Sequence, residues 1–201
     1  MAYLNSIVPL QQFELIRDRI ALIISEELTQ QLYLGITGID PTFTVFVERF
    51  SQPNISEFPI INVSLLEGDY DNQDARSDDG IYSFAIDVYT ASKTKADGFP
   101  GDTSSMMKLQ RFMGVIRAIF RNPIYRTLLF PAPSISSVRV SKIAIAQPKD
   151  DHESMNVMQG RVLLKVRVPE SVELGDTFLP SALFTTWVIS DSGQGYQVIQ
   201  Y

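Results

Sequence analysis

The sequence predicts an α+β domain: an antiparallel sheet of about four to five strands, two main helices packed on one face, and a β-prone C-terminal extension. Three observations point there. Two segments repeat apolar residues every three or four positions. Five segments are β-prone, most of them alternating apolar with polar residues. They follow the order helix, three strands, helix, two strands, extension.

The first helix covers residues 10–34, where Phe13, Ile16, Ile20, Ile23, Ile24, Leu28 and Leu32 form one apolar face. Glu14, Arg17, Asp18, Glu26 and Glu27 fall mostly on the other. Pro9 precedes it and Gly35 follows, as helix boundaries favour. "TFTVFVERF" (42–50) alternates, and "FPIINVSLLEG" (58–68) is apolar and β-branched. "GIYSFAIDVYTA" (80–91) sets Tyr82, Phe84, Ile86 and Val88 on one side against Ser83, Ala85, Asp87 and Tyr89 on the other. Residues 58–90 therefore read as a β-hairpin with an oversized acidic tip.

A Gly-, Pro- and Lys-containing loop (92–102) leads to the second helix, 104–122, with Asp102 or Thr103 as its cap. Its apolar positions are 106, 109, 112, 113, 116, 119 and 120, opposite Lys108, Arg111, Arg117 and Arg121. Asn122 and Pro123 suit the start of a short further helix over 122–130, ended by "PAP". Two alternating strands follow at 134–147 and 158–170, joined by the polar "PKDDHESMNV". Residues 1–170 read as the domain and 171–201 as an extension, either a terminal hairpin or an arm that pairs with another chain.

Composition excludes several functions. With 45% hydrophobic and 20% charged residues, a packed core is expected and general disorder is not. No apolar run reaches the roughly 18 residues that span a bilayer, and the N-terminus lacks a basic-then-hydrophobic signal, so no membrane partner is expected. There is no cysteine. Disulfides, thiolate metal sites and thiol catalysis are thereby removed. With a single histidine, a Ser-His-Asp triad has little material. "DGFPG" (97–101) lacks phosphate-loop spacing, and "SKTK" (92–95) is too small a basic cluster to grip nucleic acid. No catalytic residue, metal or cofactor is expected.

The acidic stretch "GDYDNQDARSDDG" (68–80) is the most conspicuous candidate site. Glu67, Asp69, Asp71, Asp74, Asp78 and Asp79 face only Arg76, a net −5 within a chain of net −6. A calcium loop counted from Asp69 fits at Asp71 but fails at its glycine, replaced by Asp74, and at its bidentate glutamate, replaced by Gly80. A solvated tip, extended by like-charge repulsion, fits better. General acid–base work needs a pocket to split two carboxyl pKa values, and a polar tip offers none. His152, with Asp150, Asp151 and Glu153, reads as a polar hairpin tip, because consecutive residues rarely converge on one ion. Trp187 reads either as a packing anchor or as an interface residue, with Phe184 and Tyr196 beside it in the extension.

The run "IRDRIALIISEEL", "FPIINVSLLEG", "YSFAIDVYTASK", "LQRFMGVIRAIFRNPIY", "GRVLLKVRVPE" resembles the tail-terminator (tail-completion) proteins of long-tailed bacteriophages. The resemblance spans roughly residues 10–170 and rests on element order, since that family has no catalytic signature. It implies a non-enzymatic virion protein, made in the host cytoplasm, that forms a homo-oligomeric ring, most simply a hexamer. Its partners would be the tail tube protein and a neck or connector protein, with the tail sheath as a further candidate. DNA would pass through the lumen without specific binding, and the aspartates would face that lumen or a partner. Strand addition at 42–50 or 183–201 would join the subunits. Two alternatives stay open: another head–tail connector component, such as an adaptor or stopper, and a metal-dependent hydrolase using the aspartates of 69–79.

Overall fold

The structure, a computed structural model, describes residues 10–49, 57–74, 77–92, 101–131, 133–146, 156–171, 189–191 and 196–198. For 71–74, 77, 78, 102, 156, 170, 171 and the two C-terminal stretches it describes the backbone alone.

Helix α1 spans Gln12–Tyr33. The Glu14 carboxylate accepts from the Gln11 backbone N–H at 2.7 Å, satisfying one of the donors a helix start leaves open. Ile16, Ile20, Ile23, Ile24 and Leu28 are buried, and Phe13 and Leu32 pack against them, as the spacing predicts. The helix ends in a Schellman turn. Gly35 sits at φ +82, donating to the Leu32 carbonyl, while Ile36 donates to Gln31. A side chain at Gly35 would be strained, which is why glycine stops the helix there.

Strands β1 (Thr44–Val47), β2 (Ile60–Asp74) and β3 (Ser77–Ser92) come next, then helix α2 (Gly101–Arg121). A 3-10 turn, Pro123–Thr127, follows, in which the Asn122 side chain accepts from the Ile124 N–H at 3.1 Å. Strands β4 (Ser137–Ala146), β5 (Asn156–Ser171), β6 (Ile189–Asp191) and β7 (Tyr196–Val198) complete the chain in sheet order β4-β5-β3-β2-β1-β7-β6.

The fold class is the expected one, with differences in detail. One pair, β1 with β2, is parallel, Thr44 opposite Ile60 through Val47 opposite Val63. Residues 48–59 separate these strands, long enough for the crossover that a parallel pair needs, and Glu48 at φ 51 turns the chain out of β1. Helix α2 starts at Gly101, earlier than its apolar spacing indicates. The short helix over 122–130 is a 3-10 turn, stopped at Thr127 because Leu128 and Leu129 adopt positive φ. Within the β-prone C-terminal segment, β6 pairs antiparallel with β7, and β7 pairs with β1 of the same chain: Phe46 faces Gln197 and Val47 faces Tyr196. The outer edge of β1 is therefore occupied over those residues.

Both helices cover one face of the sheet. Val45, Val47, Ile61, Val63, Phe84, Ile86, Val88, Val162 and Leu164 meet α1 and α2 in a single apolar cluster, with Phe43 edge-on to Phe112 at 6.2 Å. Gly160 permits the close approach of α2. A Cβ there would lie 2.4 Å from Met113 Sδ and 3.1 Å from Leu109 Cδ1. The buried Thr90 hydroxyl donates to the Ser105 carbonyl at 2.9 Å, fastening β3 to the first turns of α2.

Candidate functional site

The acidic segment is not a loop. β2 and β3 stay paired through it, Asp69 with Ile81, Tyr70 with Gly80, Asp71 with Asp79, Asn72 with Asp78 and Asp74 with Ser77. β5 joins on the other side: Ile81 pairs with Arg167, Asp79 with Pro169 and Asp78 with Glu170. The result is a three-stranded arm continuous with the core sheet. Aspartate, asparagine and glycine are poor strand formers. They form strands here because the ladder from the apolar half of β3 continues without interruption into the third strand.

The arm has two distinct sides. On the core side, the Tyr82 ring meets Tyr70 at 5.9 Å and Phe13 at 5.9 Å, and the Tyr82 hydroxyl donates to Tyr70 at 3.3 Å. Gly68 makes room for this ring, since a Cβ would lie 3.0 Å from it. The opposite side carries charge. Glu67 and Asp69 are exposed, and Asp79 accepts from Arg167 Nη2 at 2.6 Å and Nε at 3.1 Å. The register also sets Asp71 opposite Asp79 and Asp78 opposite Glu170, like-charge positions that disfavour the ladder.

The same helix-free side of the sheet holds a basic region that does not stand out as a cluster in the sequence. Arg161, Lys165 and Arg167 lie on the side of β5 away from the helices, and Arg139 and Lys142 extend the region onto β4. Arg161 donates to Asp87 from Nε at 2.6 Å and Nη2 at 2.8 Å. These bonds to the buried carboxylate raise the guanidinium pKa. Among the described residues, none of Arg139, Lys142 and Lys165 lies in an ion pair, and the register places Arg139 directly opposite Lys165. The signal was present in "RVLLKVRV", whose period of two puts Arg161, Lys165 and Arg167 on one side. Charge scattered along a chain becomes a patch only once β4 and β5 are paired.

Further along this side, Arg49 is buried beneath its contacts, bonded to Glu57 at 2.7 Å and lying over the Phe46 ring at 4.5 Å. The Asn62 side chain bridges the Arg49 backbone, accepting from its N–H at 2.9 Å and donating to its carbonyl at 3.1 Å. On the helical side, a groove of about 430 Å³ is lined by Glu27, Gln31, Arg111, Val115, Ile119 and Tyr125, among others. Tyr125 donates a hydrogen bond to Glu27 there. Partial burial and that bond push the phenol pKa up to about 12.

Of the other sequence candidates, Tyr196 lies in β7 opposite Val47. Trp187, Phe184 and His152 fall outside the described residues. Among the described residues no three His, Cys, Asp or Glu side chains come together to hold a metal ion, and no helix is long and apolar enough to cross a membrane.

No protein-family model matches the chain, and no curated protein matches it. Among solved structures, it is similar to a chain of "Virion of native gene transfer agent (GTA) particle", with 12% sequence identity and a TM-score of 0.42, over 77% of this chain and 94% of that one. A likeness this distant carries no argument about function.

Proposed function

We propose that this chain is a structural virion protein that forms a ring, most simply a hexamer, closing the end of a phage tail tube and joining it to the neck. The observation that carries the reading is a sheet with acidic and basic regions segregated on its helix-free side, with strand edges at β4 and along the arm that carry no partner strand among the described residues. Such a surface suits heterologous contact between copies, the kind that closes into rings. The sequence resemblance to tail-terminator proteins agrees with it in element order. A ring of this kind leaves a lumen for DNA. The tip of the arm, with Asp71, Asp74 and Asp78 in its backbone ladder, would line that lumen or meet the neck partner. Negative charge repels phosphate, so DNA would slide rather than bind.

The test is to size the purified chain and image it by negative stain, alone and with isolated tail tubes. Rings alone, or rings seated on tube ends that halt tube growth, are expected. A chain that stays monomeric and leaves tube ends open contradicts the reading. Capture of a portal-side connector in place of the tube protein would instead favour an adaptor or stopper. A melting-temperature rise in millimolar calcium, magnesium or manganese would favour metal-dependent chemistry, because a ligand that binds only the folded state stabilises it. No rise is expected.

A further inference from the structure

Among the described residues, β6 ends the sheet on one side, and two further stretches of edge carry no partner strand. The first is β4, the terminal strand, whose residues 141–146 are all exposed, with Ile143 at 40% and Ile145 at 44%. Soluble proteins rarely leave so apolar an edge open. The second is the outer edge of β2 beyond Val63. There β1 ends, and the last neighbouring contact is the Glu48 carboxylate accepting from the Leu65 N–H at 2.8 Å. From Leu66 onward no described strand pairs with the arm edge.

The ladder connects these two edges rung by rung. One rung runs Arg139, Lys165, Ser83, Glu67; the next runs Ser137, Arg167, Ile81, Asp69. Residues on one rung share a face, so each rung is cationic at the β4 side and anionic at the β2 side. The β4–β5, β5–β3 and β3–β2 pairs are all antiparallel. Three reversals leave β4 antiparallel to β2. A second copy in the same orientation would thus present its β4 antiparallel to the first copy's arm edge. Without any axial shift, Arg139 would stand beside Glu67 and Ser137 beside Asp69.

We propose that the β4 edge of one copy adds to the β2 arm edge of the next copy, through residues 137–140 and 66–69, making one sheet that runs from subunit to subunit. The contact accounts for an otherwise unfavourable feature. Arg139 opposite Lys165 is a like-charge cross-strand pair, and a neighbouring Glu67 and Asp69 would offset it. The contact is heterologous, since two different edges meet, so it closes only as a ring or grows as a filament. The proposal rests on the ring reading above and identifies the surfaces that make it. Phosphate of duplex DNA is the competing anion for the basic side, but three cations outside ion pairs on a chain of net −6 are a small footprint for it.

The experiment uses three full-length chains: unmodified, Arg139→Glu/Lys142→Glu, and Glu67→Lys/Asp69→Lys. Sedimentation velocity gives the assembly state, circular dichroism the fold, and fluorescence anisotropy the binding to a labelled duplex. Each reversed chain should keep its fold but need roughly tenfold or more concentration to assemble, since like charges then meet across the edge. An equimolar mixture of the two reversed chains should assemble again, because every contact in an alternating ring is complementary. Reversed chains that assemble like the unmodified one would overturn the edge pairing and leave the ring reading standing. An unmodified chain that stays monomeric with and without tail tubes would overturn both. Duplex binding lost in Arg139→Glu/Lys142→Glu, with unchanged assembly, would assign the basic side to nucleic acid and also overturn the proposal.

Discussion

The two sides of this sheet are held by different physics. On the helical side, Phe84, Ile86, Leu164 and Phe112 are fully buried and make no polar demand. On the other side, Asp87, Asn62, Ser83 and Arg49 are also buried or nearly so, yet their surroundings are ion pairs, amide bridges and backbone. A side built for stability alone would have little use for segregated charge, because surface ion pairs contribute little. The contrast teaches that the helical side carries most of the apolar burial, and that the charged side is the one the proposed assembly would use.

Substitutions can break or sharpen that contrast. The largest loss should come from Phe84→Ala, a fully buried truncation expected to cost about 3–5 kcal/mol in a denaturant melt. A loss below 1 kcal/mol would mean that the helices do not seal this side as described. Gly160→Val follows. It drives a branched side chain into Met113 and Leu109 and should cost about 1–3 kcal/mol. Because Met113 is flexible, Gly160→Ala should cost less, and an equal cost for both would point to backbone strain instead.

On the charged side, Arg161→Ala leaves the carboxylate of Asp87, whose side chain is 6% exposed, without its bidentate partner. Because the arginine itself is 42% exposed, water can reach part of the vacated space, and the expected loss is about 2 kcal/mol. A smaller loss still, about 1 kcal/mol, is expected for Tyr125→Phe at neutral pH, from one hydrogen bond at a half-buried site. Its sign with pH is fixed. The folded state raises the phenol pKa from 10 to about 12, so the protonated form is favoured. The contribution is complete below pH 10 and is lost as pH rises towards 12. Melts of the unmodified chain and of Tyr125→Phe should therefore converge across that window; curves that stay parallel would remove the bond from the account.

Much of the helical side was legible in the sequence. Ile16, Ile20, Ile23, Ile24 and Leu28 repeat at helical spacing, and Tyr82, Phe84, Ile86 and Val88 alternate; both patterns report directly on a buried face. The arm was not legible as strands. Local propensity in "GDYDNQDARSDDG" points to a loop, and only the distant pairing of Asp79 with Pro169 and Gly80 with Val168 overrides it. The parallel β1–β2 pair was hidden for the same reason, since register between strands is not written in either strand. The basic side was half visible in the alternation of Arg161, Lys165 and Arg167. Its extension onto Arg139 and Lys142 required knowing that β4 is the neighbour. Sequence reports which face is buried, and pairing determines which charges become neighbours.

The central proposal is that the exposed charges at the β2 and β4 edges govern assembly and contribute little to stability. It is tested most directly by sedimentation velocity on the Glu67→Lys/Asp69→Lys chain beside the unmodified chain, at a concentration where the latter is found assembled. Both positions are exposed, so the change in stability should stay within about 0.5 kcal/mol. The account predicts a folded chain sedimenting as a monomer. A ring of unchanged mass would contradict it.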